Sequence, residues 1–200
     1  MDQIKYKVIP NILNSEEIKL VKDYCKTQHI NNKTLENMDM IQNNCGDTCF
    51  YKDPLMESIL KNKKEIIERA FDKKLTSTYT FWRCYTYGAE LKKHKDRESC
   101  EYSVTLFIDS DGQDWPIFMD GKPLYLDPGD AVAYKGCDLE HWREPYKGDY
   151  HIQVFLHYVD SEGPYKNFKG DNRKEGVKSL TIEQKEKFKN EEKGIDDLNL

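Results

Sequence analysis

Residues 76–109 read TSTYTFWRCYTYGAELKKHKDRESCEYSVTLFID, and this stretch decides the fold. Aromatic and β-branched residues dominate it, and only Gly88 breaks it cleanly. That composition predicts strands over 77–87, 91–96 and 101–109. The same texture continues to Val159, with turn signals at Asp111-Gly112, Asp120-Gly121, Pro128-Gly129 and Lys147-Gly148. These turns cut further strands at 115–119, 122–126, 130–135, 139–144 and 150–159. Strands so closely spaced leave no room for crossover helices. The reading is mainly β, a barrel or sandwich and not a parallel α/β sheet.

Upstream, the periodicity changes to helical. Asn14 and Glu17 have capping-box spacing ahead of Ile18, Val21 and Cys25, which predicts a helix over 14–28. Asp53-Pro54 starts a second, over 53–72, whose stripe is Leu55, Ile59, Ile66, Ile67, Ala70 and Phe71. Tyr6, Val8 and Ile9 suggest a short strand before the first helix, and the polar residues 31–52 read as a loop. The two helices are expected to pack outside the β core, 76–159, in one domain spanning 1–160. Residues 161–200 read as a polar extension with a short charged helix over 181–193, opened by Thr181 and Gln184.

The 200 residues carry 31 basic and 36 acidic side chains, a net charge of −5 that argues against nucleic acid as a partner. No apolar run of membrane-spanning length exists, and the opening MDQIKYKVIP has no apolar leader segment. Six cysteines without a CxxC pair read as reduced thiols of a cytoplasmic protein, with Cys45 and Cys49 left open.

Four of the five histidines fall between residues 94 and 157. His94-Lys95-Asp96 is an H-x-D triplet, and on a strand residues two apart project to one face. His141 lies 45 residues after Asp96, on a strand that a barrel can bring alongside. Two imidazoles and a carboxylate on one face of a metal leave the opposite positions open, which suits non-haem Fe(II). The triplet alone is a common pattern, more often a surface ion pair than a ligand set.

Its surroundings are more specific. A strand ends in Tyr85-Thr-Tyr-Gly88, and His94 and Asp96 follow. Then come a turn from Asp109 to Gly112, a strand opened by Pro128-Gly129-Asp130, His141 with Pro145 four residues on, and Gly148 before the last strand. In this order, over roughly residues 5–160, the chain resembles the Fe(II)- and 2-oxoglutarate-dependent dioxygenases, in particular their prolyl-4-hydroxylase-like branch. The resemblance implies a double-stranded β-helix, the cupin-like jelly roll, with Fe(II) on His94, Asp96 and His141. It also implies 2-oxoglutarate and O2 as cosubstrates, and hydroxylation of an amino-acid or peptidyl C–H bond with release of succinate and CO2.

The chain departs from that pattern about ten residues after the distal histidine, where such enzymes carry an arginine or lysine for the far carboxylate of 2-oxoglutarate. Here the residue is His151. Strand parity nominates Arg83, Tyr85, Thr105, His151 and Gln153 for the cosubstrate. Arg97, Trp142 and Arg143 are candidates for an anionic substrate or cosubstrate group. Because of His151, a metal-dependent jelly-roll oxygenase that does not use 2-oxoglutarate stays open as an alternative; a third reading is a non-catalytic cupin-like binding module.

Overall fold

The computed structural model describes residues 5–34, 41–42 and 47–171. Two antiparallel sheets face each other as a jelly roll. The larger is ordered β1 (Tyr6–Ile9), β9 (Ala131–Lys135), β6 (Tyr102–Ser110), β11 (His151–Asp160), β4 (Leu75–Tyr85), β3 (Asp47–Tyr51) and β2 (Ile41–Gln42). The smaller is ordered β5 (Leu91–His94), β10 (His141–Arg143), β7 (Ile117–Met119) and β8 (Lys122–Leu124). Helices α1 (Ser15–Thr34) and α2 (Pro54–Phe71) cover the outside of the large sheet.

The central strands β6 and β11 are buried on both faces. Their even residues, among them Val104, Leu106, Val154 and Leu156, join Trp82 in the core beneath the helices. Their odd residues point into the barrel and are often polar: Ser103, Thr105, His151, Gln153 and His157. A buried polar row on the inner face of a sheet must be mutually hydrogen-bonded or serve a ligand.

The helix starts follow the sequence. Asn14 and Glu17 exchange backbone-to-side-chain hydrogen bonds of 2.9 Å each. Asp53 Oδ1 accepts from the Leu55 and Met56 amides, and its Oδ2 accepts from Tyr24 Oη and Trp82 Nε1. One carboxylate thus caps α2 and ties it to α1 and β4, a capping contribution of about 1 kcal/mol before the tie is counted.

Two expectations need correction. Residues 31–52 are not a loop throughout, because α1 runs to Thr34 and β3 pairs with β4. The physical reason is Asp47. It is fully buried, accepts from the amide and hydroxyl of Thr86, and forms an ion pair with Arg83. A residue type that reads as loop is here the anchor of a strand. The strand expected at 91–96 also stops at His94, so Asp96 is not placed by the pleat of β5. Downstream, Lys166–Asp171 is 3-10-like and kinked at Lys169 and Gly170. Its Asp171 accepts from Tyr51 Oη at 2.5 Å and from Arg97 Nη2 at 2.7 Å. The helix expected at 181–193 lies outside the described residues, as does Cys45. The five described cysteines are free thiols.

Candidate metal centre and cosubstrate pocket

His94 ends β5 and pairs in register with His141, which begins β10. Their rings lie 4.3 Å apart between centroids. Asp96, two residues beyond the strand end, turns its Oδ1 toward both, 3.5 Å from His94 Nε2 and 3.7 Å from His141 Nε2. In each imidazole Nδ1 faces a backbone carbonyl, that of Lys92 at 2.7 Å and that of Leu139 at 3.0 Å. A carbonyl only accepts, so Nδ1 carries the proton and the neutral ring leaves the Nε2 lone pair for a metal, with Tyr134 Oη also 3.3 Å from His141 Nε2. This is the tautomer a metal-binding histidine needs.

Asp96 is held from behind. Its amide donates to the Gly136 carbonyl at 2.9 Å, and its Oδ2 accepts from Ser103 Oγ at 2.7 Å. Ser103 Oγ in turn lies 2.9 Å from His157 Nδ1. With its proton given to Asp96, Ser103 accepts from His157 Nδ1–H. Burial raises the Asp96 pKa, but the His94 hydrogen bond, the fields of His157 and His141 and the Ser103 bond outweigh it and hold it near about 2. The hydrogen bond to Asp96 raises His94 against its partial burial, whereas burial lowers His141. A carboxylate between two imidazoles, with its second oxygen occupied, is a donor set that fits a divalent cation.

A second group, Asp96, Cys100 and His157, also lies within ligand range of one point. Burial and the Asp96 field push the Cys100 thiol up to about 12. A thiol is a poor ligand, so this group does not match the first.

Along β10, two residues further into the barrel, stands Arg143. It is 3 % exposed. Its Nη1 donates to the Trp115 carbonyl, its guanidinium lies 4.8 Å from the Trp115 ring, and its Nε has no partner. Burial lowers its pKa to about 10, partly offset by Tyr85 and Tyr134. Among the described residues no carboxylate pairs with it, so Arg143 is a buried cation without a counter-ion. Removing one partner from a buried ion pair costs about 3–5 kcal/mol, so a lone buried charge is expensive and invites an anion.

The five side chains nominated for the cosubstrate all point into the barrel. His151 Nε2 lies 3.0 Å from Gln153 Oε1, and Gln153 Nε2 donates to Thr105 Oγ1 at 2.7 Å. Arg83 lies over the Tyr85 ring at 4.2 Å, but its charge is answered by Asp47. Burial, and then Arg143, drive the His151 pKa down to about 3, so the ring is neutral at pH 7. It stacks on Phe107 at 4.6 Å, and its Nδ1 has no partner.

Of the remaining candidates, Arg97 reaches away to Asp171 and lies over Tyr79 at 4.8 Å. Trp142 faces opposite to His141 and Arg143 and stacks on Phe118 at 5.0 Å outside the barrel. Sequence reasoning did not find Asp47. Nor did it assign Ser103 and His157 to the support of Asp96, although the odd-numbered polar row along β6 and β11 was the signal that could have.

No family model matches this sequence, and no curated protein matches it. Solved structures do match in fold. A Pseudomonas putida prolyl-4-hydroxylase superposes with a TM-score of 0.59 at 15 % identity, over 78 % of this chain and 92 % of its own. A viral collagen prolyl hydroxylase from Paramecium Bursaria Chlorella virus-1, in complex with 2-oxoglutarate, gives 0.58 at 12 %, over 78 % and 97 %. EctD from S. alaskensis, with 2-oxoglutarate and 5-hydroxyectoine, gives 0.66 at 12 %, over 88 % and 82 %.

Proposed function

We propose that this chain, which has the fold of the Fe(II)- and 2-oxoglutarate-dependent oxygenases, is itself one. We infer that it hydroxylates an amino-acid or peptidyl C–H bond and releases succinate and CO2. The observation that carries the reading is the convergence of His94 Nε2, His141 Nε2 and Asp96 Oδ1, with both Nδ1 atoms committed to carbonyls. These three side chains would hold the iron. With 2-oxoglutarate and O2, bound Fe(II) supplies the oxidising power for C–H hydroxylation.

The protein's own contribution is placement. Arg143, unlike neutral His151 or the already paired Arg83, has a charge to give to the far carboxylate of 2-oxoglutarate. This supports the reading with 2-oxoglutarate over the alternative that dispenses with it, because a buried cation is available on another strand. Thr105, Gln153 and His151 form a hydrogen-bonded wall beside it, and Phe81, Phe107 and Phe155 share that inner face. No helix among the described residues is long and apolar enough to cross a membrane. The free, mostly buried thiols are in keeping with action in a reducing compartment such as the cytoplasm.

The test is succinate formation from 2-oxoglutarate by purified protein under air, which should require added Fe(II) and vanish in His141→Ala. If the Fe(II)-loaded protein forms no succinate and does not bind 2-oxoglutarate, the reading is wrong.

A further inference from the structure

Arg143 has a second side. With His151 it forms the inner wall of a cavity of about 350 Å3. This cavity lies at the far end of the barrel from the metal ligands. His94 ends β5 and His141 begins β10 at one end, whereas the cavity lies where β6 ends and β11 begins. Its volume corresponds to roughly ten water molecules at bulk density. Phe107, Trp115 and Leu126 make its apolar walls, and Ser110 and Gln113 stand toward its mouth. On the inner wall the buried Arg143 Nε–H has no acceptor, whereas the unpartnered His151 Nδ1 is itself an acceptor, the ring's proton being on Nε2 toward Gln153.

We propose that this cavity is the unfilled far end of the cosubstrate pocket, so that the protein accepts 2-oxo dicarboxylates one methylene longer than 2-oxoglutarate. The inference rests on the oxygenase reading above. In a pocket packed to interior density, one extra methylene costs roughly 10–200-fold. That penalty requires a solid wall behind the carboxylate. Here the usual long basic side chain at the start of the last strand is replaced by the compact His151, and the charge is supplied sideways by Arg143. The space behind both is open. A longer acid moves its carboxylate along the guanidinium toward the Ser110 hydroxyl without displacing packed atoms.

Asp109, Asp114 and Asp127 also line the cavity; Asp109 pairs with Lys26 at 2.7 Å and Asp114 and Asp127 are exposed to solvent, so the charge buried at the inner wall is that of Arg143. With 2-oxoadipate the balance is unchanged. The C1–C2 bond breaks, CO2 leaves and O2 is the oxidant. One oxygen atom enters glutarate and the other enters the substrate C–H bond as hydroxyl.

The experiment is an anaerobic titration of the Fe(II)-loaded protein with 2-oxoglutarate and with 2-oxoadipate, read by the visible charge-transfer band of the iron-bound 2-oxo acid. We expect the two dissociation constants to agree within about tenfold, short of the loss a packed wall imposes. Binding of 2-oxoglutarate with 2-oxoadipate weaker by more than about tenfold overturns the proposal and leaves the oxygenase reading intact. Binding of neither acid overturns both. Leu126→Trp, which fills the cavity, should weaken 2-oxoadipate by about tenfold or more and spare 2-oxoglutarate. Equal effects on the two acids would refute the assignment of the cavity. Should that variant fail to fold, the wild-type comparison decides alone.

Discussion

Asp96 is fitted to Gly136. The Asp96 amide donates to the Gly136 carbonyl at 2.9 Å, and a Cβ at position 136 would collide with the Asp96 carboxylate and with the Cys100 carbonyl. The loop after β9 therefore sets where the carboxylate points. Gly136→Ala should push Asp96 off the two imidazoles and weaken metal binding by about 10–100-fold, the range typical of disturbed ligand support. A Co(II) titration checks this, with thermal melting alongside to separate lost affinity from lost fold. An unchanged dissociation constant would show that Gly136 does not position the ligand.

The two buried arginines make opposite predictions. Arg143→Gln should leave the metal bound but weaken 2-oxoglutarate by about 10–100-fold, since a hydrogen bond to a charged group contributes about 1.5–3 kcal/mol. Arg83→Gln should act on folding instead, leaving Asp47 buried without its ion-pair partner at a cost of about 3–5 kcal/mol. Equilibrium unfolding and cosubstrate titration on both variants separate the roles. If Arg83→Gln abolishes cosubstrate binding in a protein of wild-type stability, the assignments must be exchanged.

His151 predicts a pH dependence of stability. In the folded protein it stays neutral down to about 3, whereas unfolded it takes a proton near its ordinary 6.5. Between those values the unfolded chain binds more protons, so stability falls as the pH falls. The slope from this residue approaches about 1.4 kcal/mol per pH unit. His151→Gln should flatten the fall between pH 6 and 4, measured as the urea midpoint against pH, although His157, lowered by burial to about 4, leaves a residual slope. Identical curves for the two proteins would mean that His151 is not buried neutral.

Ser103→Ala removes the donor to Asp96 Oδ2 and leaves Oδ1 free to swing. We expect a metal affinity lower by about tenfold and a lower melting temperature, since buried His157 Nδ1–H and Asp96 Oδ2 each lose a partner at about 1–3 kcal/mol. Ser103→Thr, which keeps the hydroxyl, should restore most of it.

What was legible in the sequence was what repeats or what is rare. The strand texture from Thr76 to Val159 and the Asn14 and Asp53 caps depend on near neighbours, so local reading finds them. The H-x-D spacing puts His94 and Asp96 on one strand face, with His141 on another strand, yet β5 stops at His94 and a loop contact to Gly136 turns Asp96 inward. The pleat argument therefore holds for only part of this cluster. Asp47 stayed hidden because an aspartate in an Asn-rich stretch reads as loop until its partner, Arg83 across the strand pair, is known. Arg143 was nominated as one anion-binding candidate among several. What separates it from Arg83 and Arg97 is that each of those has a carboxylate partner, a property of tertiary contacts alone.

The central claim is tested most directly by crystals grown anaerobically with Fe(II) or Mn(II), examined by anomalous scattering. The account predicts one strong peak within bonding distance of His94 Nε2, His141 Nε2 and Asp96 Oδ1. A peak between Asp96, Cys100 and His157 instead, or none at either position in protein shown to be folded, would contradict it.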